Sequence, residues 1–284
     1  MKIITWNVQW CRGIDGRVDP ARVVGHAKEM ADFDVLCLQE VADNFPDPRL
    51  AANDASDQFA TIAKLLPGYE AIPGVAVDHP ADGGKRRRFG NMILSRLPVQ
   101  QVYRWLLPYP HEPGKAGMPR IAIEAVVGTP PNDLRVITTH LEWYSPAQRA
   151  AQVEQLRRIY ADGYAHAAAA EITMTDGGPF QTYLRPRATL ICGDFNLEHV
   201  DPLHARMVAP QESGVPALVN AWDHLHPGEP YPATFCIYNR MEPYGQLHCD
   251  FHFLSPELVQ RAQSIFVDQQ TQASDHQPVL LTLK

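Results

Sequence analysis

Short apolar runs, roughly four to eight residues each, recur along the chain. Among them are 2–7, 34–39, 91–95, 120–127, 134–140, 189–192, 247–254 and 278–283. They are rich in β-branched and aromatic residues and bounded by Gly, Pro or Asp, which predicts strands. A different period lies between some of them. Residues 19–30 open on Asp19-Pro20, a helix-start signal, and place Val23, Ala27 and Met30 on one face. Ser145-Pro146 opens a longer helix with Ala150, Val153, Leu156 and Tyr160 at core-facing spacing. A third, shorter pattern covers 57–66. The alanine-rich stretch 165–170 extends the second helix, and 175–178 ends it.

Strands outnumber helices, no repeat of fixed period is present, and the 25 prolines gather in loops such as 45–49, 108–119 and 227–232. None of these loops is long enough for an interdomain linker. The expectation is a single domain spanning 1–284, most simply two packed sheets covered by helices.

Composition narrows the function classes. With 45% hydrophobic and 20% charged residues the chain is globular, neither disordered nor fibrous. Its formal charge of −7, from 25 basic and 32 acidic residues, argues against loose electrostatic binding to nucleic acid but leaves room for a local basic groove. No apolar run approaches the roughly 18 residues of a membrane span. The chain enters a strand at its second residue with no leader pattern, and its five cysteines form no Cys-x-x-Cys pair. A reducing, cytoplasmic setting is expected, with no obligate protein partner.

Nucleophile elbows, Walker loops, dinucleotide fingerprints and His-Glu-x-x-His helices are all missing from the sequence. What stands out is polar residues at strand ends. Asn7, Glu40 and His140 close predicted strands, Asp194 and Asn196 follow one, Asp275 and His276 precede the last, and Asp250 interrupts another. Each has a bland reading as a turn or boundary residue, but a carboxylate inside an apolar strand needs a partner, and His276 is the candidate. His248, Asp250 and His252 alternate and would share one strand face, so a zinc-like triad is a competing reading.

Thr-Trp-Asn (5–7), Leu-Gln-Glu (38–40), Gly-Asn-x-Ile-Leu-Ser-Arg (90–96), Thr-His-Leu (139–141), Gly-Asp-Phe-Asn (193–196) and Ser-Asp-His (274–276) occur in this order. Together they resemble the endonuclease/exonuclease/phosphatase superfamily, which shares the deoxyribonuclease-I-like fold. The resemblance implies an α/β fold of two mostly antiparallel sheets in a four-layer α-β-β-α sandwich, and divalent-metal-dependent phosphoester hydrolysis. It implies Glu40 as principal ligand of Mg²⁺ (or Mn²⁺), Asp275 as a direct or water-mediated second ligand, and Asn7 beside the metal and substrate. His276 resembles the general base or a phosphate contact, oriented by Asp250. Asp194 would position the water, Asn196 would hold it or a phosphate oxygen, and His140 would donate to the phosphate. Arg120 resembles an arginine near the phosphate, and Asn91 reaches the substrate or makes a turn.

Other features speak to substrate. Lys85-Arg86-Arg87-Arg88 reads as a solvated loop or a phosphate-tracking one, and Trp10, Trp143 and Tyr144 could stack on bases. A nuclease is the leading expectation. A phosphatase or phosphodiesterase acting on a lipid headgroup or small nucleotide is the alternative, and a catalytically silent binding module on the same fold is the different-class reading. Gln9, and Val41-Ala42-Asp43 after Leu-Gln-Glu, depart from the pattern of abasic-site nucleases. Cys192 and Asp250-Phe251 depart from the inositol-phosphatase pattern.

Overall fold

A computed structural model describes residues 1–169, 171, 174–211, 214–238 and 245–284. Its strands are β1 (Lys2–Asn7), β2 (Val35–Asp43), β3 (Glu70–Pro80), β4 (Arg86–Ser95), β5 (Val99–Leu106), β6 (Ile121–Val127), β7 (Leu134–His140), β8 (Thr189–Asp194), β9 (Val219–Asn220), β10 (Asp250–Leu254), β11 (Ala262–Val267) and β12 (Val279–Leu283). The helices are α1 (Pro20–Met30), α2 (Gln58–Leu65), α3 (Pro146–Ala169) and the short α4 (Pro202–Val208), α5 (Ala221–Leu225) and α6 (Pro256–Val259).

The strands form two six-stranded sheets, ordered β11-β12-β1-β2-β4-β3 and β5-β6-β7-β8-β10-β9. Among the described residues, only β1–β2 and β7–β8 pair in parallel. Alternation along each central strand sorts side chains into three apolar layers. Ile3, Val35 and Ile93 meet Ile123, Val136 and Leu190 between the sheets. Ile4, Leu36 and Leu38 lie under Val23, Ala27 and Ile62 of α1 and α2. Ile137, Ile191 and Phe253 lie under Val153, Leu156 and Tyr160 of α3. This is the expected four-layer α-β-β-α sandwich.

Helix starts follow the capping logic. Asp19 accepts from the backbone N–H groups of Ala21 and Arg22, and Asp57 from that of Ala60, each just before its helix. All eight named apolar runs are strands, with shifted ends: β2 continues to Asp43, and β10 begins at Asp250 rather than at 247. Four further strands, β3, β5, β9 and β11, were not predicted, and they are the edges of the two sheets.

One buried ionic hub ties α3 to its sheet. Glu124, fully buried on β6, accepts from Arg135 Nε at 2.7 Å, Arg185 Nη2 at 2.8 Å and Trp105 Nε1 at 3.2 Å. Arg135 in turn donates to the Ile159 carbonyl of α3 at 2.8 Å. Gly163 makes the approach possible, because a Cβ there would lie 2.1 Å from the Arg135 guanidinium carbon. Removing the carboxylate charge leaves two guanidinium groups facing each other in the core. Glu124→Gln is therefore expected to lower unfolding free energy by about 3–5 kcal/mol. Urea denaturation would measure this, and a loss below about 1 kcal/mol would contradict the hub.

Candidate active site

The parallel pairs bring the carboxyl ends of β1, β2, β7 and β8 to one edge of the sandwich, where β10 begins. In the second sheet His140, Asp194 and Asp250 stand side by side, because β7 registers His140 with Asp194 and β10 registers Asp250 with the same residue. In the first sheet Asn7 is level with Gln39. Gly193 permits the close pairing just before Asp194: its φ is +141°, and a Cβ there would sit 2.0 Å from the Thr139 carbonyl oxygen.

Glu40 does not close its strand, as the sequence suggested. It sits at a β-bulge between Leu38 and Val41 with φ at +61°, which breaks the alternation and turns the carboxylate toward the cleft. Gln9, Trp10, Asn196 and Cys236 also have positive φ. Left-handed backbone at five non-glycine residues around one edge is strain the fold tolerates there.

Asn7 Nδ2 donates to Glu40 Oε1 at 3.2 Å and to Asp194 Oδ2 at 2.9 Å, bridging two carboxylates from different sheets. Its Oδ1 accepts the Gln9 N–H. Asn7 is thus a buried brace between the two carboxylates, with one lone pair of Oδ1 taken by the Gln9 N–H. Asp275 accepts from Gln9 Nε2 at 2.5 Å and from Ser274 Oγ. The Ser274 hydroxyl also accepts from the His276 N–H, fixing the Ser-Asp-His turn.

His276 Nδ1 donates to Asp250 Oδ2 at 2.9 Å, while Nε2 lies 3.6 Å from Asp194 Oδ2. Burial opposes its charged form, but the Asp250, Asp194 and Asp275 carboxylates outweigh burial and push its pKa up to about 10. The surrounding carboxylates thus favour the imidazolium form of His276. His140 behaves oppositely: burial, then Arg120, pulls its pKa down to about 3. Asn196 Nδ2 donates to the Leu141 carbonyl at 2.8 Å and lies 3.0 Å from His140 Nε2. The same nitrogen lies 3.4 Å from Asp194 Oδ2.

Arg120, immediately before β6, is buried with Nε on Glu142 Oε2 at 3.2 Å and a buried Nη1 that has no protein partner. Asn91 lies inside β4, not in a turn, and is buried with its amide on the Ile121 carbonyl at 2.9 Å. It braces the Arg120 segment from behind. The basic run departs most from expectation. Arg86–Arg88 belong to β4, with Arg86 paired to Asp78 at 2.7 Å and Arg88 to Asp43 at 2.6 Å. The zinc-like triad is also corrected. His248 precedes β10, gives its ring N–H to the Pro232 carbonyl and packs edge-on against Phe251, while Asp250 is committed to His276.

The cleft holds a cavity of about 460 Å³ reached by Glu40, Asp275, Asp194, His276, His140 and Arg120. A second cavity, about 540 Å³, lies beside it and shares Ala116, Trp143, Tyr144 and Asn196 in its lining. The walls are aromatic: Trp10, Phe89, Trp143, Tyr144 and Phe235. Glu40 and Asp275 are the carboxylates suited to a cation. Burial and then Asp275 push the Glu40 pKa up to about 7, burial raises that of Asp275, and among the described residues no Lys or Arg pairs with either. Crowded carboxylate oxygens with amide braces fit a hard divalent ion. Sequence reading did not foresee the bracing by Gln9, Ser274 and Glu142, for which local sequence offers no signal.

A sequence model of the Endonuclease/Exonuclease/phosphatase family matches residues 4–276. The chain belongs to that family. Membership supports phosphoester hydrolysis as its class of chemistry. No curated protein matches the chain. Solved structures share the fold. A family member from Beutenbergia cavernae superposes with TM-score 0.68 at 22% identity, covering 100% of this chain and 71% of that one. Humanized D. rerio TDP2 gives 0.62 at 18% identity, covering 100% and 98%. A mannosyl-6-phosphatase from Bacteroides thetaiotaomicron gives 0.62 at 14%, covering 100% and 99%. No helix among the described residues is long and apolar enough to cross a membrane.

Proposed function

We propose that this family member is a Mg²⁺- or Mn²⁺-dependent phosphodiesterase acting on short or single-stranded nucleic acid. The observation that carries the reading is the convergence of Glu40, Asp275, Asp194 and the His276–Asp250 pair on one cleft, with room on both sides of the site at Asn196. A monoester fills one side; a diester has two arms. Aromatic walls suit stacking on bases, whereas Arg86 and Arg88 already have acidic partners, which disfavours tracking along a duplex.

In this mechanism Glu40 and Asp275, braced by Asn7 and Gln9, would hold the divalent ion. A divalent ion there would supply Lewis-acid polarisation of a phosphoryl oxygen and stabilisation of the leaving oxygen. Asp194, kept anionic by His276, His140 and the Asn7 amide despite its burial, orients the attacking water and takes its proton. His276, positively charged and fixed by Asp250, donates through Nε2 to the phosphate as charge builds there. Of the two roles its family resemblance left open, this is the phosphate contact. Arg120 offers Nη1 to the same oxygens. The five cysteines are buried and form no disulfide, which supports the proposal of a reducing, cytoplasmic setting.

The test compares bis-p-nitrophenyl phosphate, p-nitrophenyl phosphate and a short single-stranded oligonucleotide, each with Mg²⁺ and with EDTA. Diester and oligonucleotide are expected to turn over at least about tenfold faster than the monoester in kcat/KM, a gap of about 1.4 kcal/mol, with activity abolished by chelator. Faster monoester turnover would point to a phosphatase. Activity undiminished by EDTA would overturn the metal-dependent reading, and Mg²⁺ binding without turnover of any substrate would indicate a silent binding module.

A further inference from the structure

Cys249 sits directly behind the His276–Asp250 pair. Its Sγ lies 3.6 Å from Asp250 Oδ2 and 3.9 Å from His276 Nδ1, which are themselves 2.9 Å apart. Sγ, Asp194 and His276 also offer ligand atoms that all lie within 4.8 Å of one another. These spacings lie close to those of a cation cage. In a tetrahedral zinc centre, Zn–S near 2.3 Å and Zn–N or Zn–O near 2.0–2.1 Å set neighbouring ligands about 3.3–3.6 Å apart. Shifts of a few tenths of an ångström would bring the three atoms into that range. Asp250 adds a further sign: its Oδ1 is buried without a partner, so the carboxylate has a lone-pair face still unused.

We infer that Cys249, Asp250 and His276, with Asp194 at the fourth position, form an inhibitory site for a thiophilic divalent cation such as Zn²⁺ or Cd²⁺. The inference rests on the proposed role of His276 only for its inhibitory consequence. The set differs in hardness from the neighbouring oxygen pair Glu40 and Asp275. A thiolate and an imidazole select borderline and soft ions, whereas carboxylates with retained waters suit Mg²⁺. Binding replaces two protons, that of the Cys249 thiol and that of His276 Nδ1, which leave to solvent as the metal–sulfur and metal–nitrogen bonds form. The His276–Asp250 hydrogen bond is lost in the same event. The imidazole is then neutral and tied to the metal, and it can no longer present a positive N–H to phosphate. Of the other cysteines, Cys37 and Cys192 lie between the sheets and Cys11 lies under α1, while Cys236 shares the small buried cluster of Cys249 and Phe235.

Two measurements test this on the intact protein. The first needs no catalysis: chelator-treated protein is titrated with Cd²⁺ alone, following the ultraviolet sulfur-to-cadmium charge-transfer band. The wild type is expected to saturate at one Cd²⁺ per chain, and Cys249→Ser, which keeps the other four cysteines, is expected to lose that band. The second measures Zn²⁺ inhibition of diester hydrolysis at fixed Mg²⁺. Cys249→Ser and Cys249→Ala are expected to hydrolyse the diester normally and to need at least about tenfold more Zn²⁺ for half inhibition, a change of about 1.4 kcal/mol. An unchanged band in Cys249→Ser would overturn the site. So would equal Zn²⁺ sensitivity in all three proteins, which would place inhibition at Glu40 and Asp275 instead. If no phosphoester is hydrolysed by the wild type, the functional reading fails while the Cd²⁺ titration still decides the site.

Discussion

His276→Ala is expected to lower kcat on a diester by about 10³-fold, with KM changed far less, because it removes a charged donor needed most when phosphate charge peaks. Asp250→Asn should show the same pattern at about 10²-fold. The amide can still meet the ring, but it removes a carboxylate that keeps Nδ1 protonated and the imidazole positively charged. The two residues act as one device, so the double variant should be little worse than His276→Ala alone. Steady-state kinetics on the four proteins would check this. Multiplicative losses, or a His276→Ala enzyme within tenfold of wild type, would remove the pair from the chemistry. Circular dichroism and urea midpoints control for folding, since Asp250 loses its partner and is left to protonate in the core.

Glu40→Gln is expected to have an effect of similar size for a different reason. The substitution keeps the shape and an oxygen for Asn7 while deleting the charge that holds the ion. Activity at millimolar Mg²⁺ should fall about 10³-fold, and raising Mg²⁺ should recover part of it. The structure adds a second sign to this prediction. Glu40 is crowded by burial, by Asp275 and by Asp194, and its pKa of about 7 records that cost. Without metal, the Gln variant should therefore unfold at or above the wild-type temperature. Adding Mg²⁺ should stabilise only the wild type. A variant both inactive and markedly less stable in EDTA would mean that Glu40 serves the fold rather than an ion.

How far the sequence led depends on where each residue sits. The eight central strands are covered on both sides, so β1, β2, β7 and β8 read as nearly continuous apolar runs. The edge strands could not be read this way. β3 carries Pro73 and Pro80 and alternates irregularly, β5 has no fully buried position, and β9 is two residues long. Polar endings of Asn7, His140 and Asp194 were visible because nothing apolar explains them. The bulge at Glu40 was not, since it depends on how β4 pairs with β2.

The misread features share a cause. The acids that occupy Arg86 and Arg88 lie on neighbouring strands, Asp78 on β3 and Asp43 on β2. No local pattern announces that pairing. His248 looked equivalent to His252 only if the strand began before Asp250. The braces on the site are equally non-local: Gln9 reaches Asp275 across 266 residues, and Asn7 reaches Asp194 across 187.

The proposed chemistry requires a cation held jointly by Glu40 and Asp275 beside His276. Calorimetric titration of Mn²⁺ into chelator-treated protein tests it directly. Wild type is expected to bind at least one equivalent, with affinity lowered at least about tenfold, or about 1.4 kcal/mol, in both Glu40→Gln and Asp275→Asn. Mn²⁺ binding that is identical in all three proteins would contradict it.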